Sequence, residues 1–289
     1  MSGLPSGYTQ LEYIQSSGIQ YINSGFVPNQ DTRVVAEFES LIATGGFPVF
    51  GSRQSGSART YTFGTTGTNN CWLSGYNNGS VNSGKKEDTA RHIVDKNKAI
   101  CYLDGVAIAT STYATFTSPG ALWIFRFYSG DGDNAAYGKL KLYACKIYDN
   151  GILARDFVPC KNASGAVGLY DTVEGQFYAN AGTGTFTAGP EIIPDPPAAP
   201  TGLQTVLAVV LQWAASANAD RYDVYRDNAK LGSTETTQYV DATPEANQTY
   251  VYTVKAVNGG GESAGTSITV YTKSGYFEYK PLIESANFP

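Results

Sequence analysis

Histidine is almost missing from this chain: His92 is the only one in 289 residues, and methionine also occurs once. A single imidazole excludes a His-rich metal centre and leaves general acid–base chemistry to carboxylates, tyrosines and lysines. Charge is scarce too. Charged residues make up 16% and the net charge is −5, so there is no basic surface to gather phosphates, and nucleic acid is not an expected partner. No apolar stretch approaches the roughly 18 residues of a membrane-spanning helix, and the longest, Val206–Leu211, has the size of a strand. Membrane insertion is therefore not expected. Residues Met1 to Tyr8 show no basic region, no apolar core and no cleavage site, which argues against export by a standard signal. The four cysteines, Cys71, Cys101, Cys145 and Cys160, match neither a zinc knuckle nor a CxxC motif. Cys101 and Cys145 sit in apolar strand-like runs and read as reduced, buried residues. The loop-like flanks of Cys160 leave a disulfide open.

What is plentiful is glycine, at 32 residues, and tyrosine, at 21. Together with abundant Thr, Ser and Asn, this is the composition of many short strands joined by tight turns. Alternation is clear in Thr32–Phe38 and in Lys139–Tyr143. Turn signals recur at Asn78-Gly79, Asp104-Gly105, Asp149-Asn150-Gly151 and Glu174-Gly175. Further strands are expected at Leu11–Ile14, Tyr21–Phe26, Phe47–Gly51, Thr60–Phe63, Cys71–Leu73, Arg91–Val94, Ala99–Leu103, Ala121–Phe127 and Gly138–Tyr148. No amphipathic stretch is long enough for a helix, so the fold class is all-β. At about 150 residues per domain, the length suggests two domains. Charge supports a division: residues 1–190 carry 14 Lys/Arg and 14 Asp/Glu, whereas 191–289 carry 6 and 11. Four prolines in Glu191–Pro200 mark a semi-rigid linker. A second β unit follows over 201–273, with strands at Leu207–Trp213, Arg221–Arg226, Thr237–Asp241, Tyr250–Asn258 and Thr266–Tyr271.

The second unit resembles a fibronectin type III domain, an immunoglobulin-like β-sandwich. The matching residues are Pro200-Thr201-Gly202-Leu203, Trp213, Tyr222–Arg226, Pro244, the run from Tyr250 to Asn258, and Gly261-Glu262-Ser263. The resemblance implies a tyrosine corner at Tyr250, a core tryptophan at Trp213 and a role as spacer or interaction module. Residues 1–190 resemble the laminin G-like, concanavalin A-like jelly rolls of bacteriophage structural proteins. The resemblance is carried by Leu4–Ile14, Ser16–Phe26, Arg91–Asp95, Tyr102–Val106, Lys146–Gly151, Arg155–Pro159, Gly168–Asp171, Phe177-Tyr178 and Gly182–Gly184.

Together these resemblances imply a non-enzymatic virion protein, assembled in the host cytoplasm as a tail appendage, head fibre or capsid decoration. Its partners would be other virion proteins and a host or environmental glycan, and it would form a homo-oligomer. The alternative is a cell-surface or secreted bacterial adhesion module binding carbohydrate. An enzyme is disfavoured, because a glycosidase of related fold would array several carboxylates along one strand, and only Glu37-Phe38-Glu39 alternates.

Candidate residues follow from chemistry. Trp72, Tyr76 and Tyr128 offer aromatic faces to sugar C–H surfaces, and Asn77 and Asn78 offer amides to hydroxyls; the alternative is that Trp72 and Tyr128 are strand residues of the core. Asp131-Gly132-Asp133-Asn134 is a short acidic loop. Asp131, Asp133 and Asn134 could ligate Ca2+, the one cofactor left open, or form a solvated turn. His92 and the pair Arg155-Asp156 read as structural. The terminal segment 274–289 carries Tyr276, Phe277, Tyr279, Leu282, Ile283 and Phe288. These would either pack back on the second unit or dock to a larger assembly as an added strand.

Overall fold

The computed structural model describes residues 4–54, 58–130, 137–206 and 210–273. Among them there are strands, turns and bends but no helix. The chain divides into two compact units, Ser2–Ile192 and Ile193–Pro289.

The first unit is a two-sheet sandwich. One sheet is centred on Thr32–Ser40, flanked by Arg91–Asn97 and Leu140–Asp149. It continues through Ile100–Leu103 to the edge strand Val106–Thr110 on one side. On the other it runs through Ile152–Lys161 and Val167–Asp171 to Gln176–Tyr178. The opposing sheet runs in the order Ile22–Asn23, Trp123–Ile124, Pro48–Arg53, Thr60–Thr65, Cys71–Asn77 and Gly79–Lys86, with Phe127–Ser129 parallel to Pro48–Arg53.

Strict alternation in Thr32–Ser40 turns Val34, Ala36 and Phe38 inward. Leu140–Asp149 begins the same way, with Leu140 and Leu142 inside. A bulge between Leu142 and Ala144 then shifts the phase, so that Cys145 and Ile147 face the core. Tight turns close the hairpins. Asp104 and Gly105 have φ of 53° and 78°, and Asn150 and Gly151 have 48° and 82°; these are the paired left-handed conformations of a type I′ turn.

Trp72 is the centre of the core. It stacks on Phe63 at 5.5 Å and meets Phe38 edge-on at 5.6 Å. All four cysteines are buried and free, and Cys160 lies within the Ile152–Lys161 strand rather than in a loop. Arg155 and Asp156, read from the sequence as structural, do not pair with each other, because strand neighbours point to opposite faces. Arg155 instead meets Asp171 at 3.4 Å and Glu174 at 2.7 Å, while Asp156 meets Lys146 at 3.0 Å.

In the second unit, a sheet of Thr201–Val206, Val210–Ala214 and Gln238–Val240 faces a sheet built on Arg221–Arg226 and Thr249–Asn258. Trp213, Tyr222, Val224, Tyr252 and Val254 fill the space between them. The Tyr250 hydroxyl accepts a hydrogen bond from the Glu245 N–H at 3.0 Å, the geometry of a tyrosine corner.

Candidate functional site

The two sheets of the first unit bring an edge strand of each side by side: Gly79–Lys86 and Val106–Thr110. Between the Asn77-Asn78 turn and the segment after Val106–Thr110 lies a groove of about 420 Å³. Asn77, Asn78 and Ser80 form one wall, and Thr110, Ser111 and Thr112 the other. Tyr76 closes the floor. Its hydroxyl reaches the carbonyls of Gln30, at 3.1 Å, and Ala114, at 3.4 Å, and its ring meets Phe116 edge-on at 5.0 Å. Burial pushes the Tyr76 phenol up. Among the described residues, no Asp, Glu, Lys, Arg or His lines the groove. Its lining therefore combines neutral amides and hydroxyls with the apolar side chains of Val81 and Ala114, groups that can meet both the hydroxyls and the C–H surfaces of a ligand.

The sequence-derived ligand residues separate here. Asn77 and Asn78 stand on the groove, half-buried and exposed respectively, and Tyr76 shows it only an edge. Trp72 corrects the expectation of a sugar contact: it has no exposed surface and packs against Phe38, Phe47 and Phe63, so no ligand reaches its faces. Tyr128 lies in the same sheet but pairs with Ser52, which pairs with Tyr61, which pairs with Tyr76. Three strand spacings, roughly 14 Å, separate it from the groove. Asp131, Asp133 and Asn134 lie outside the described residues, as do Tyr276, Phe277, Tyr279, Leu282, Ile283 and Phe288.

Tyr128 belongs to an aromatic cluster that the sequence reading missed. Its ring meets Trp123 edge-on at 5.1 Å, Trp123 leans on Tyr21 at 4.4 Å, and the Arg126 guanidinium lies 4.1 Å from the Tyr137 ring centre. Trp123 fell within an expected strand. Only the strand ending at Ile124 leaves its ring half-buried at the surface.

The outer face of the large sheet holds the alternating carboxylates, each already paired. Glu37 accepts from Arg91 at 2.7 Å, and Glu39 accepts from Lys141 at 2.8 Å and from Tyr143 at 2.7 Å. The hydrogen bonds from Lys141 and Tyr143 hold Glu39 below the usual carboxylate range, so it is a poor proton donor. His92 is likewise occupied, with Nδ1 2.7 Å from Asp104 and Nε2 2.8 Å from Asp88. Among the described residues, no three His, Cys, Asp or Glu side chains form a metal-binding group, and no helix is long and apolar enough to cross a membrane.

No family model matches the chain. Among curated proteins, it is 40% identical over 102 residues to a poly(3-hydroxybutyrate) depolymerase of Ralstonia pickettii, covering 33% of this chain and 19% of that protein. It is 38% identical over 87 residues to exoglucanase B of Cellulomonas fimi, covering 27% and 8%. It is also 36% identical over 107 residues to chitinase Chi52 of Paenibacillus xylanexedens, covering 34% and 20%. The chain thus spans a fifth or less of the length of these relatives. Among solved structures, mouse laminin α1 domains LG4-5 align over 95% of this chain and 70% of theirs, with 12% identity and a TM-score of 0.35. The FN3tt mutant aligns over 27% of this chain and 97% of its own, with 23% identity and a TM-score of 0.25. The baseplate tripod of bacteriophage Tuc2009 aligns over 89% and 71%, with 12% identity and a TM-score of 0.18.

Proposed function

We propose that this chain is a non-catalytic, glycan-binding protein of a bacteriophage particle. A laminin G-like jelly roll comes first and binds a host or environmental glycan. A fibronectin type III spacer follows, and residues 274–289 attach to other virion proteins. The observation that carries the binding role is the groove beside Asn77, Asn78 and Ser80, whose described lining is uncharged and sets amides and hydroxyls beside Val81 and Ala114. Amides and hydroxyls of this kind exchange hydrogen bonds with sugar hydroxyls and set no charge requirement on the ligand. Absence of catalysis is supported by the ion-paired state of Glu37 and Glu39. The virion assignment is supported by the sequence resemblance across residues 4–189. Weak single sites would be offset by many copies, since avidity multiplies modest affinities.

A second reading, an accessory or adhesion module of a bacterial surface or secreted protein, is favoured by the relatives. They are named as a depolymerase, an exoglucanase and a chitinase, and the matched share of this chain has the size of its second unit.

The test is a glycan array probed with the intact chain and with an Asn78→Ala/Ser80→Ala variant. Binding that falls with the variant at unchanged melting temperature supports the groove. Binding indifferent to it removes the groove from the site, and release of reducing ends from any polysaccharide overturns the non-catalytic reading.

A further inference from the structure

The turn that forms one wall of the groove also carries an Asn-Gly step, and three such steps lie among the described residues: Asn78-Gly79, Asn150-Gly151 and Asn258-Gly259. At an Asn-Gly step the glycine amide nitrogen can attack the asparagine Cγ, because no side chain on the glycine blocks the approach. A C–N bond forms as the Cγ–NH2 bond breaks, and ammonia leaves with the proton from the glycine N–H. Water then adds to one carbonyl of the resulting succinimide ring and opens it to aspartate or isoaspartate. The balance is one water taken up and one ammonia released, with no enzyme and no oxidant.

The three steps differ in how firmly the asparagine is held. Asn258 is buried. Its amide donates to the carbonyls of Asp195, at 2.8 Å, and Asn218, at 3.1 Å, and its oxygen accepts from the Gly260 N–H at 2.8 Å. Ring closure there would break all three bonds. Asn150 sits in the left-handed region at φ 48°, paired with Gly151 at 82°, so cyclisation must first dismantle a type I′ turn between two ten-residue strands. Asn78 is exposed and outside the left-handed region, and its side chain has one long contact, 3.5 Å from the Arg59 N–H. Around Gly79 there is open space.

We propose that Asn78 is a self-modification site, which converts to aspartate or isoaspartate ahead of the other two steps and places a negative charge on the wall of an uncharged groove. The consequence for ligand binding rests on the glycan-binding reading above; the modification itself does not. Isoaspartate would also add a backbone atom to the two-residue turn and shift the Tyr76–Gly79 pairing that sets the wall.

The experiment ages the full chain in mildly alkaline buffer and maps it by proteolysis and mass spectrometry. Asn78 is expected to convert first. Gly79→Ala is expected to slow that conversion about tenfold or more, with melting unchanged, because the alanine Cβ meets nothing and the backbone is not left-handed. Conversion at Asn150 or Asn258 with Asn78 intact would overturn the proposal, as would an unchanged rate in Gly79→Ala. In parallel, wild type and Asn78→Asp are compared on neutral dextran, cello-oligosaccharide and chito-oligosaccharide probes. Loss of binding in Asn78→Asp supports the effect at the groove, and equal binding refutes that effect. If neither protein binds, the glycan reading fails for these probes while the mapped modification stands.

Discussion

Lys96 Nζ donates a hydrogen bond to Ser74 Oγ at 2.7 Å, and this contact joins the two sheets of the first unit through a fully buried amine. The ammonium also faces the rings of Tyr61, at 4.8 Å, and Tyr76, at 5.8 Å. Burial lowers its pKa to about 8. The native state therefore gives up this proton before the unfolded chain does, and stability rises with pH from about 8 toward the ordinary lysine range. The whole effect is roughly 3 kcal/mol. Lys96→Met should flatten the rise and raise stability near neutral pH, by less than that figure because Ser74 loses a partner. Denaturant unfolding of both proteins across this window provides the measurement.

Trp72→Ala should cost about 3–5 kcal/mol, as expected for emptying a site between packed aromatic rings. Thermal or urea unfolding would show it. A stability change under about 1 kcal/mol would be inconsistent with a buried indole.

Asp104 links the tight turn to the single histidine. Burial opposes its charge, yet the Ile93 N–H and the His92 ring hold its carboxyl below the usual carboxylate range. Its contribution is thus present above the ordinary aspartate pKa and is lost as pH falls through the lowered native value. Asp104→Ala should destabilise by about 1–3 kcal/mol near neutral pH, with a smaller difference in acid. An unfolding series on the acid side distinguishes this from simple loss of turn propensity.

Gly75 and Gly79 lie in one hairpin but should respond differently to alanine. A Cβ on Gly75 would stand 2.3 Å from Thr62 Oγ1 and 2.4 Å from Thr60 Cγ2, whereas one on Gly79 meets nothing. Gly75→Ala is expected to lower stability by about 1–3 kcal/mol and Gly79→Ala to leave it nearly unchanged. Paired melting curves test both.

In the second unit, the Tyr252 hydroxyl and Arg226 both donate to Asp241 Oδ2, at 2.7 and 2.8 Å. Asp241→Ala leaves the buried Tyr252 phenol without its acceptor and takes one of two acceptors from the half-buried Arg226, which also donates to Thr243, so it should cost about 1–3 kcal/mol. Calorimetry would show whether the transition of that unit shifts.

Regular stretches were legible in the sequence because packing and pattern agreed there. Thr32–Ser40 alternates strictly, Trp213 and the Tyr250–Asn258 run occupy the core positions expected of them, and the Asp104-Gly105 and Asn150-Gly151 turns have the backbone that those residue pairs favour. Strands without such a pattern were missed. Gly79–Lys86 is a mostly exposed edge of Gly, Ser, Asn and Lys with one apolar residue, Val81, and is held mainly by its pairing to Cys71–Asn77. Ile152–Lys161 carries charges and Pro159, and its burial does not alternate. The bulge after Leu142 leaves no local mark, yet it decides that Cys145 and not Ala144 lines the core.

The sequence by itself determined an all-β chain, its tight turns, its neutral first part and acidic second part, and the near absence of imidazole chemistry. Composition, period-two alternation and Gly/Asn/Asp conformational preference are local properties, readable one segment at a time. The tertiary structure alone decided which aromatics are available to a ligand. Trp72 and Trp123 look alike as tryptophans in strand-like runs. One is enclosed between two sheets, and the other is left half-buried beside Tyr21 and Tyr128. The groove is likewise a product of distance in the chain. It forms because pairing through Thr32–Ser40 brings Val106–Thr110 to the edge where Gly79–Lys86 ends the other sheet.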